Sequence, residues 1–431
     1  MAAQEPVRQA GWYRWLVFAL LALAYLLVYF HRTSPAVVAK DMMADLGAGE
    51  ALMGFLASAY FYPYAVMQLP AGLLADSWGP RRTITIFFVL AGAASIFFGL
   101  AESAAAAVVA RVLVGLGLSM LFVSTMKTLT RWFRLSEFAT MTGILIAVGG
   151  LGVLVAAGPL AYLSQALGWR GSFMAIGGVT LALAAAIWLL VRNTPQELGF
   201  APVEDLPAGG AAPRVGLWRG VAMVLGAARF WPLAVWYFFT CGTFFSFVGL
   251  WGGPFLMDIY GMDKTAAGGV LNMAAVAMIV GSPALSWLSD RTLKSRKKVL
   301  VLASVAMVVL ALPLCFYTDR MSVASLYVWC FLLSLFSSAI VTVGFTTAKE
   351  LFPVGMAGTA VGLINLFPFL GGAVMQPLVG WLLQAQDKVD GRYTPETYAT
   401  AFSLYLGAAV VALAASLFLK ETVGYQPPSR G

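Results

Sequence analysis

GLLADSWGPRR, Gly72 to Arg82, closes one apolar run, and SWLSDRTLKSRKK, Ser286 to Lys298, closes another. Asp290 comes 214 positions after Asp76. The echo continues elsewhere. Thr142-Gly143 and Val361-Gly362 open two further runs, Gly152 and Gly371 follow at an offset of 219, and Pro159 and Pro377 differ by 218. One matching loop arises by chance, but several in one order mark a duplicated unit. A six-span unit repeated in parallel is the sequence pattern of a two-bundle transporter with its site between the halves.

The bulk composition agrees. The chain has 431 residues, 61% of them hydrophobic and 11% charged, with a mean hydropathy of +0.85. A soluble domain carries about 25% charged residues. Twelve runs long enough to span ~30 Å of hydrocarbon lie at about 12–38, 51–75, 84–101, 104–130, 138–164, 172–192, 230–257, 266–288, 298–317, 322–348, 357–384 and 398–420. The fold expected is an all-α membrane protein with twelve transmembrane helices in two pseudo-symmetric six-helix bundles. The bundles are residues 1–192 and 230–431, joined by a cytoplasmic linker over 193–229 that holds Pro195, Pro202, Pro207, Pro213 and a Gly-Gly pair. The end of the linker, VGLWRGVAMVLGAARFW, has the make-up of an amphipathic surface helix.

Orientation follows from Lys and Arg. With both termini in the cytoplasm, eighteen of these residues fall on the inner side and six in the outer loops. The pI of 9.4 therefore reflects topology and points to no nucleic acid. The first run is too long for a signal-peptide core. Cys241, Cys315 and Cys330 sit in apolar runs without metal-ligand spacing and read as small hydrophobes. No metal, cofactor or enzymatic constellation is expected, and the protein is expected to be a monomer.

Three cations remain inside the spans: Arg32, Arg111 and Lys127. A charge at the membrane centre costs ~2.5–3.5 kcal/mol on insertion scales. All 19 acidic residues fall in loops or at span ends. Arg32 and Arg111 therefore lack a carboxylate at their own depth, and an anionic cargo offsets the cost of such a cation. This favours a small organic anion over sugars, amines or cationic drugs. Arg32 is the expected main recognition charge. His31, the only histidine, is the one embedded side chain with an ordinary titration range near neutrality and is the candidate for proton coupling. Tyr60, Tyr64 and Gln68 recur every four positions and share one face of span 2, as do Tyr25 and Tyr29 in span 1. Thr240 and Trp236 in span 7, Asn272 in span 8, and Asn365 and Gln376 in span 11 are the candidates from the second half.

The loop Gly72-x-Leu74-x-Asp76-x-x-Gly79-x-Arg81-Arg82, together with Arg111, Gly115 and Gly117 in RVLVGLG, resembles the motifs of the major facilitator superfamily. YFHRTSPAVVAKDMMADLG (Tyr29 to Gly47), SAYFYPYAVMQLPAGLLAD, TRWF and GWRGSF are similar to the anion:cation symporters and organophosphate permeases within it. The resemblance implies alternating access, with Gly72, Asp76, Gly79, Arg81 and their counterparts Asp290 and Arg291 setting the conformational equilibrium. It also implies a structural as well as a binding role for Arg111. Two residues depart from the symporters. His31 stands where they have Asp, and Leu118 where they often have Glu. The function expected is secondary active transport, proton-coupled, of a carboxylate, sugar acid or phosphate ester at the inner membrane. The alternatives are an efflux pump for hydrophobic compounds and a non-transporting receptor on the same fold.

Overall fold

A computed structural model describes residues 11–201, 203 and 217–423. Within its helices the side chains of residues 69, 72, 73, 76, 135, 136, 139, 217, 354, 355 and 357 are outside the description. Among the described residues, ten helices are long and apolar enough to cross a membrane. One of them, Thr140–Leu190, has 51 residues and breaks at Gly168, where φ is 69°, so it counts as two. A further span is broken into three pieces, Glu50–Ser58, Phe61–Val66 and Gln68–Ser77, around Pro63 and Pro70. Proline donates no N–H and clashes with the turn before it, so the apolar run crosses the membrane without forming one regular helix.

The twelve spans are α1 (Tyr13–Thr33, then Pro35–Leu46), α2 (the three pieces above), α3 (Pro80–Leu100), α4 (Ala104–Trp132), α5 (135–167) and α6 (169–190). The second half comprises α7 (Ala228–Ile259), α8 (Lys264–Thr292), α9 (Arg296–Phe316), α10 (Val323–Glu350), α11 (Val354–Ile364, then Leu366–Gln384) and α12 (Pro395–Leu417). The breaks have local causes. Pro35 ends the first piece of α1, Pro254 follows a wide turn at Phe247–Trp251 in α7, and Pro368 removes the bond to the carbonyl of residue 364 in α11. The end of the linker forms a short helix, Leu217–Leu225, which packs on the start of α11. It buries Val224 and leaves Trp218 exposed.

The two bundles meet along α2 with α11 and along α5 with α8, and the second piece of α1 packs on α7. Contact is tightest on the side of the membrane away from the linker. A Cβ on Gly253 of α7 would lie 1.8 Å from the carbonyl oxygen of Ala36 of α1, so the two backbones touch and only glycine fits. Three ion pairs join the halves there: Lys40 with Asp258, Lys264 with Asp41, and Lys388 with Glu50 at 2.7 Å. Toward the linker side the halves part around a cavity.

Each half carries its loop in the same way. Arg81 accepts the end of α6: its backbone N–H donates to Asn193 Oδ1 at 3.0 Å and its Nε to the Trp188 carbonyl at 2.9 Å. In the second half the backbone N–H of Arg296 donates to Glu421 Oε1 at 3.0 Å, just after α12. Gly79 lies at φ 83°, with Asn193 against its α-carbon, a position an L side chain rarely adopts. Asp290 pairs with Arg296, which also reaches Glu350 at 3.5 Å. Arg291 is exposed. The surroundings of Gly72 and the side chain of Asp76 lie outside the description.

Candidate functional site

The cavity between the halves measures about 460 Å³. From α1 it takes Tyr25, Tyr29 and Arg32, which the helical period places on one face. Tyr64 comes from α2, Cys241, Phe244 and Phe245 from α7, and Asn365 and Phe369 from α11. Toward the linker side the wall continues through Phe122, Met126, Phe138 and Thr142 of α4 and α5, and through Ser334 to Lys349 along α10. Lys349 is exposed at the mouth. Among the described residues, none of those lining the cavity is Asp or Glu.

Arg32 is 4% exposed. Its guanidinium carbon lies 4.6 Å from the ring centre of Tyr64, 4.7 Å from Tyr29 and 4.9 Å from Phe369. Cation–π contacts of this kind are worth about 0.5–2 kcal/mol each, more when desolvated. They hold the cation in a dry site, where its planar fork can meet an acceptor. Arg32 has no ion pair within 4 Å among the described residues, and its Nε is buried without a hydrogen-bond partner. It does not snorkel to the surface.

The rings around it form a connected box. Tyr64 and Phe369 lie 4.4 Å apart, Phe61 and Phe245 5.1 Å, and Phe245 stacks on Phe369 at 6.3 Å and 14°. Asn365 bridges the halves, donating from Nδ2 to Gln68 Oε1 at 2.7 Å, while Gln68 donates to the Tyr64 carbonyl at 3.1 Å.

Of the ten residues expected to bind cargo, Tyr29, Arg32, Tyr64 and Asn365 line this cavity. The other six lie outside its wall, and each has a physical reason. Successive helical residues point about 100° apart, so His31 faces away from Arg32. It packs on Phe30 and Phe173, with both ring nitrogens buried and unpartnered. Arg111 donates to the carbonyls of His31 and Ala57 at 3.1 and 3.4 Å, which ties α1, α2 and α4 together. Tyr60 stacks on Tyr64 and lies under Arg111. Gln68 is held behind Asn365. Thr240 is buried one residue before Cys241, and Asn272 forms the break in α8 and faces Gly158 of α5. Trp236 donates to Ser304 Oγ and Gln376 to the Phe245 carbonyl, so both are spent within the second bundle. Lys127 donates to the Ala75 carbonyl at 2.7 Å.

The residues missed from sequence are mainly Phe244, Phe245, Phe369 and Lys349. The phenylalanines sit in uniformly apolar runs with no polar marker. Lys349 carried a signal, as a cation at the end of a span that also holds Ser334, Ser337 and Ser338.

Twelve spans in two bundles around a central cavity, with glycine-lined contact on one side and a basic site between the halves, define a membrane carrier and not an enzyme. Residues 21–376 match the family model of the Major Facilitator Superfamily, and the chain belongs to that family. The probable sulfoacetate transporter SauU of Cupriavidus necator is 24% identical over 397 residues, covering 88% of this chain and 89% of its own. The probable galactarate/D-glucarate transporter GudP of Escherichia coli K12 is 23% identical, with 88% and 89% covered. Among solved structures, an inward-facing bacterial homologue of the human lysosomal transporter Spinster superposes with a TM-score of 0.71 at 19% identity, over 94% of this chain and 95% of that one. A D-xylose-proton symporter gives 0.72 at 14% identity, over 96% and 99%.

Proposed function

We propose that this chain is a secondary active transporter of a small organic anion, a carboxylate, sugar acid or phosphate ester, working by alternating access. The observation that carries the proposal is the central cavity, which holds Arg32 in its depth, Lys349 at its mouth and no carboxylate in its described wall. A desolvated guanidinium facing a cavity is a strong site for a planar anion. The names of the relatives, probable sulfoacetate and galactarate/D-glucarate transporters, support the same class.

The fine features of the reading are these. Residues 1–192 and 230–431 are the moving bodies and 193–229 the linker. The linker side is cytoplasmic and the membrane is the cell's inner membrane, as the Lys and Arg distribution supports. The protein acts as a monomer. A proton accompanies the anion, with His31 as its carrier. Arg81, Asp290 and the rest of the two loops set the balance of states and do not touch cargo. Efflux of hydrophobic cations is disfavoured, because the cavity offers a cation no counter-charge.

Proteoliposomes holding the purified protein test the proposal. Uptake of a labelled carboxylate, sulfonate or sugar phosphate, competed by unlabelled anions and not by neutral sugars or cationic dyes, is the expected result. Transport of neutral sugars or dyes that no anion inhibits sinks it.

A further inference from the structure

The lining of the cavity narrows the cargo, on the anion reading above. Its wall is mostly apolar: beside Arg32 and Lys349 its polar groups are the hydroxyls of Tyr25, Tyr29, Tyr64, Ser334 and Thr346, and a few donors already turned elsewhere. Thr142 Oγ1 donates to the Phe138 carbonyl at 2.8 Å, Ser337 Oγ to Leu333 at 2.8 Å and Ser338 Oγ to Leu335 at 2.6 Å. The Asn365 amide donates across the halves to Gln68. These donors are turned to their own helices or to one another. Around the guanidinium of Arg32 lie the rings of Tyr29, Tyr64 and Phe369, continued by Phe245, with the Tyr64 hydroxyl as a polar group beside it.

A polyol acid brought here has more hydroxyl groups than these few tyrosine, serine and threonine hydroxyls can meet, and the rest would lie against apolar wall. A hydroxyl taken from water without a partner is disfavoured. An apolar body gains from burial on the same surface, and an aromatic one also from stacking. The buried part of the cavity holds one cation, and the second, Lys349, stands at the exposed mouth, so the geometry suits one anionic group and not two. We infer that the preferred cargo is a small monoanion with an apolar body, an aromatic carboxylate before a sugar acid. This cargo differs from the one for which the relatives named for galactarate and D-glucarate are named.

The test is a set of binding titrations on the full-length purified protein with four probes. Phenylacetate carries one charge and an apolar ring, galactonate one charge and a polyol, glucarate two charges and a polyol, and phenylacetamide the ring without the charge. Phenylacetate is expected to bind at least roughly tenfold more tightly than galactonate or glucarate, the scale on which a pocket discriminates apolar from polar bodies. Phenylacetamide is expected to bind at least roughly tenfold more weakly than phenylacetate, because it lacks the charge-assisted pair with Arg32. Equal or tighter binding of galactonate or glucarate overturns the inference and leaves the anion reading standing. Equal binding of phenylacetamide overturns the anion reading itself, and binding of no anion overturns both. Phe369→Asn adds a readout that mere loss of structure does not move. It should lower the phenylacetate-to-galactonate preference by roughly threefold or more, whereas Arg32→Gln should weaken both ligands together. An unchanged preference in a folded Phe369→Asn protein counts against the wall as its source.

Discussion

Arg111 donates from Nη1 to the carbonyl oxygen of His31 at 3.1 Å, one residue before the cation that faces the cavity. The same guanidinium reaches the Ala57 carbonyl at 3.4 Å, so one side chain of α4 fixes the backbone of α1 and α2 where they frame Arg32. Lysine cannot span both carbonyls with a planar fork. Arg111→Lys is therefore expected to lower stability by about 1–3 kcal/mol, the cost of leaving buried acceptors unmet, and to weaken anion binding through displaced Arg32. Thermal unfolding and binding titration on one preparation check this. A variant with wild-type melting and affinity would remove the positioning role.

Arg32 should separate binding from stability. Its burial is costly and its rings only partly offset that cost. Arg32→Gln removes the buried charge, so the melting temperature is expected to hold or rise. Anion affinity should fall by at least about tenfold, because a charge-assisted pair in a partly desolvated site is worth ~2–5 kcal/mol. Arg32→Lys should fall similarly, since a compact ammonium cannot lie against three rings while presenting a bidentate edge. Retained affinity in Arg32→Gln would falsify the recognition role.

Much of the fold was legible in the sequence. The six-span repeat, the span positions and the loops after α2 and α8 are written in apolar runs and turn residues. Arg32 was legible too, because a cation in an apolar run has few reasons to exist. The side chains facing it were not. Phe245 and Phe369 look like any lipid-facing phenylalanine, and only three-dimensional packing shows that they line a cavity. His31, Thr240 and Asn272 stood out in the sequence for the opposite reason, and none of them lines the cavity. Polar residues in apolar spans stand out, but their facing does not: His31 and Thr240 each lie one helical step from a lining residue, Arg32 and Cys241, and Asn272 sits at the break in α8. The inter-half pairs on the far side were also hidden, because Lys40 and Asp258 lie 218 positions apart and each looks like an ordinary loop charge.

His31 is enclosed in the present conformation, its nitrogens without partners. On the proposed coupling, His31 takes its proton when α1 has moved relative to its neighbours. His31→Gln is expected to keep anion exchange across a vesicle membrane and to lose accumulation driven by a pH gradient. Both are measured in the same proteoliposomes with and without the gradient. Accumulation that persists in the variant moves the proton site elsewhere.

Glu421, beyond α12, ties the second-half loop to the end of that bundle. Burial works against its charge. The Ser295 hydroxyl and the backbone N–H groups of Val423, Arg296 and Thr422 outweigh burial and hold its carboxyl below the usual carboxylate range. A depressed folded value contributes stability that is present above the ordinary carboxylate range and is lost as pH falls through the folded value. Glu421→Gln should therefore melt lower than wild type near neutral pH, and the gap should close on acidification through about pH 4 and below. Melting curves across that range decide it, and a gap independent of pH would assign the effect to shape and not to charge.

Closure of the far side rests on contact between backbones more than on charge. The three lysines, Lys40, Lys264 and Lys388, are partly exposed, which keeps each pair near the ~0–1 kcal/mol of a surface ion pair, although Asp258 and Glu50 are buried and Tyr398 also donates to Asp258 at 2.9 Å. The contact of Gly253 with Ala36 is of another kind. A methyl group there overlaps the carbonyl at 1.8 Å, an overlap no side-chain rotation relieves. Only separation of α7 from α1 removes it, and that separation is the opening of the far side. Gly253→Leu is therefore expected to shift the protein toward the far-side-open state, and Lys388→Glu to do so more weakly, with Glu50→Lys added to Lys388→Glu restoring the balance. Spin labels at Ala44 and Ala266, on opposite halves, report the change as a longer distance distribution. The ordering matters as much as the direction. If Lys388→Glu opens the far side further than Gly253→Leu does, charge and not backbone contact holds it shut.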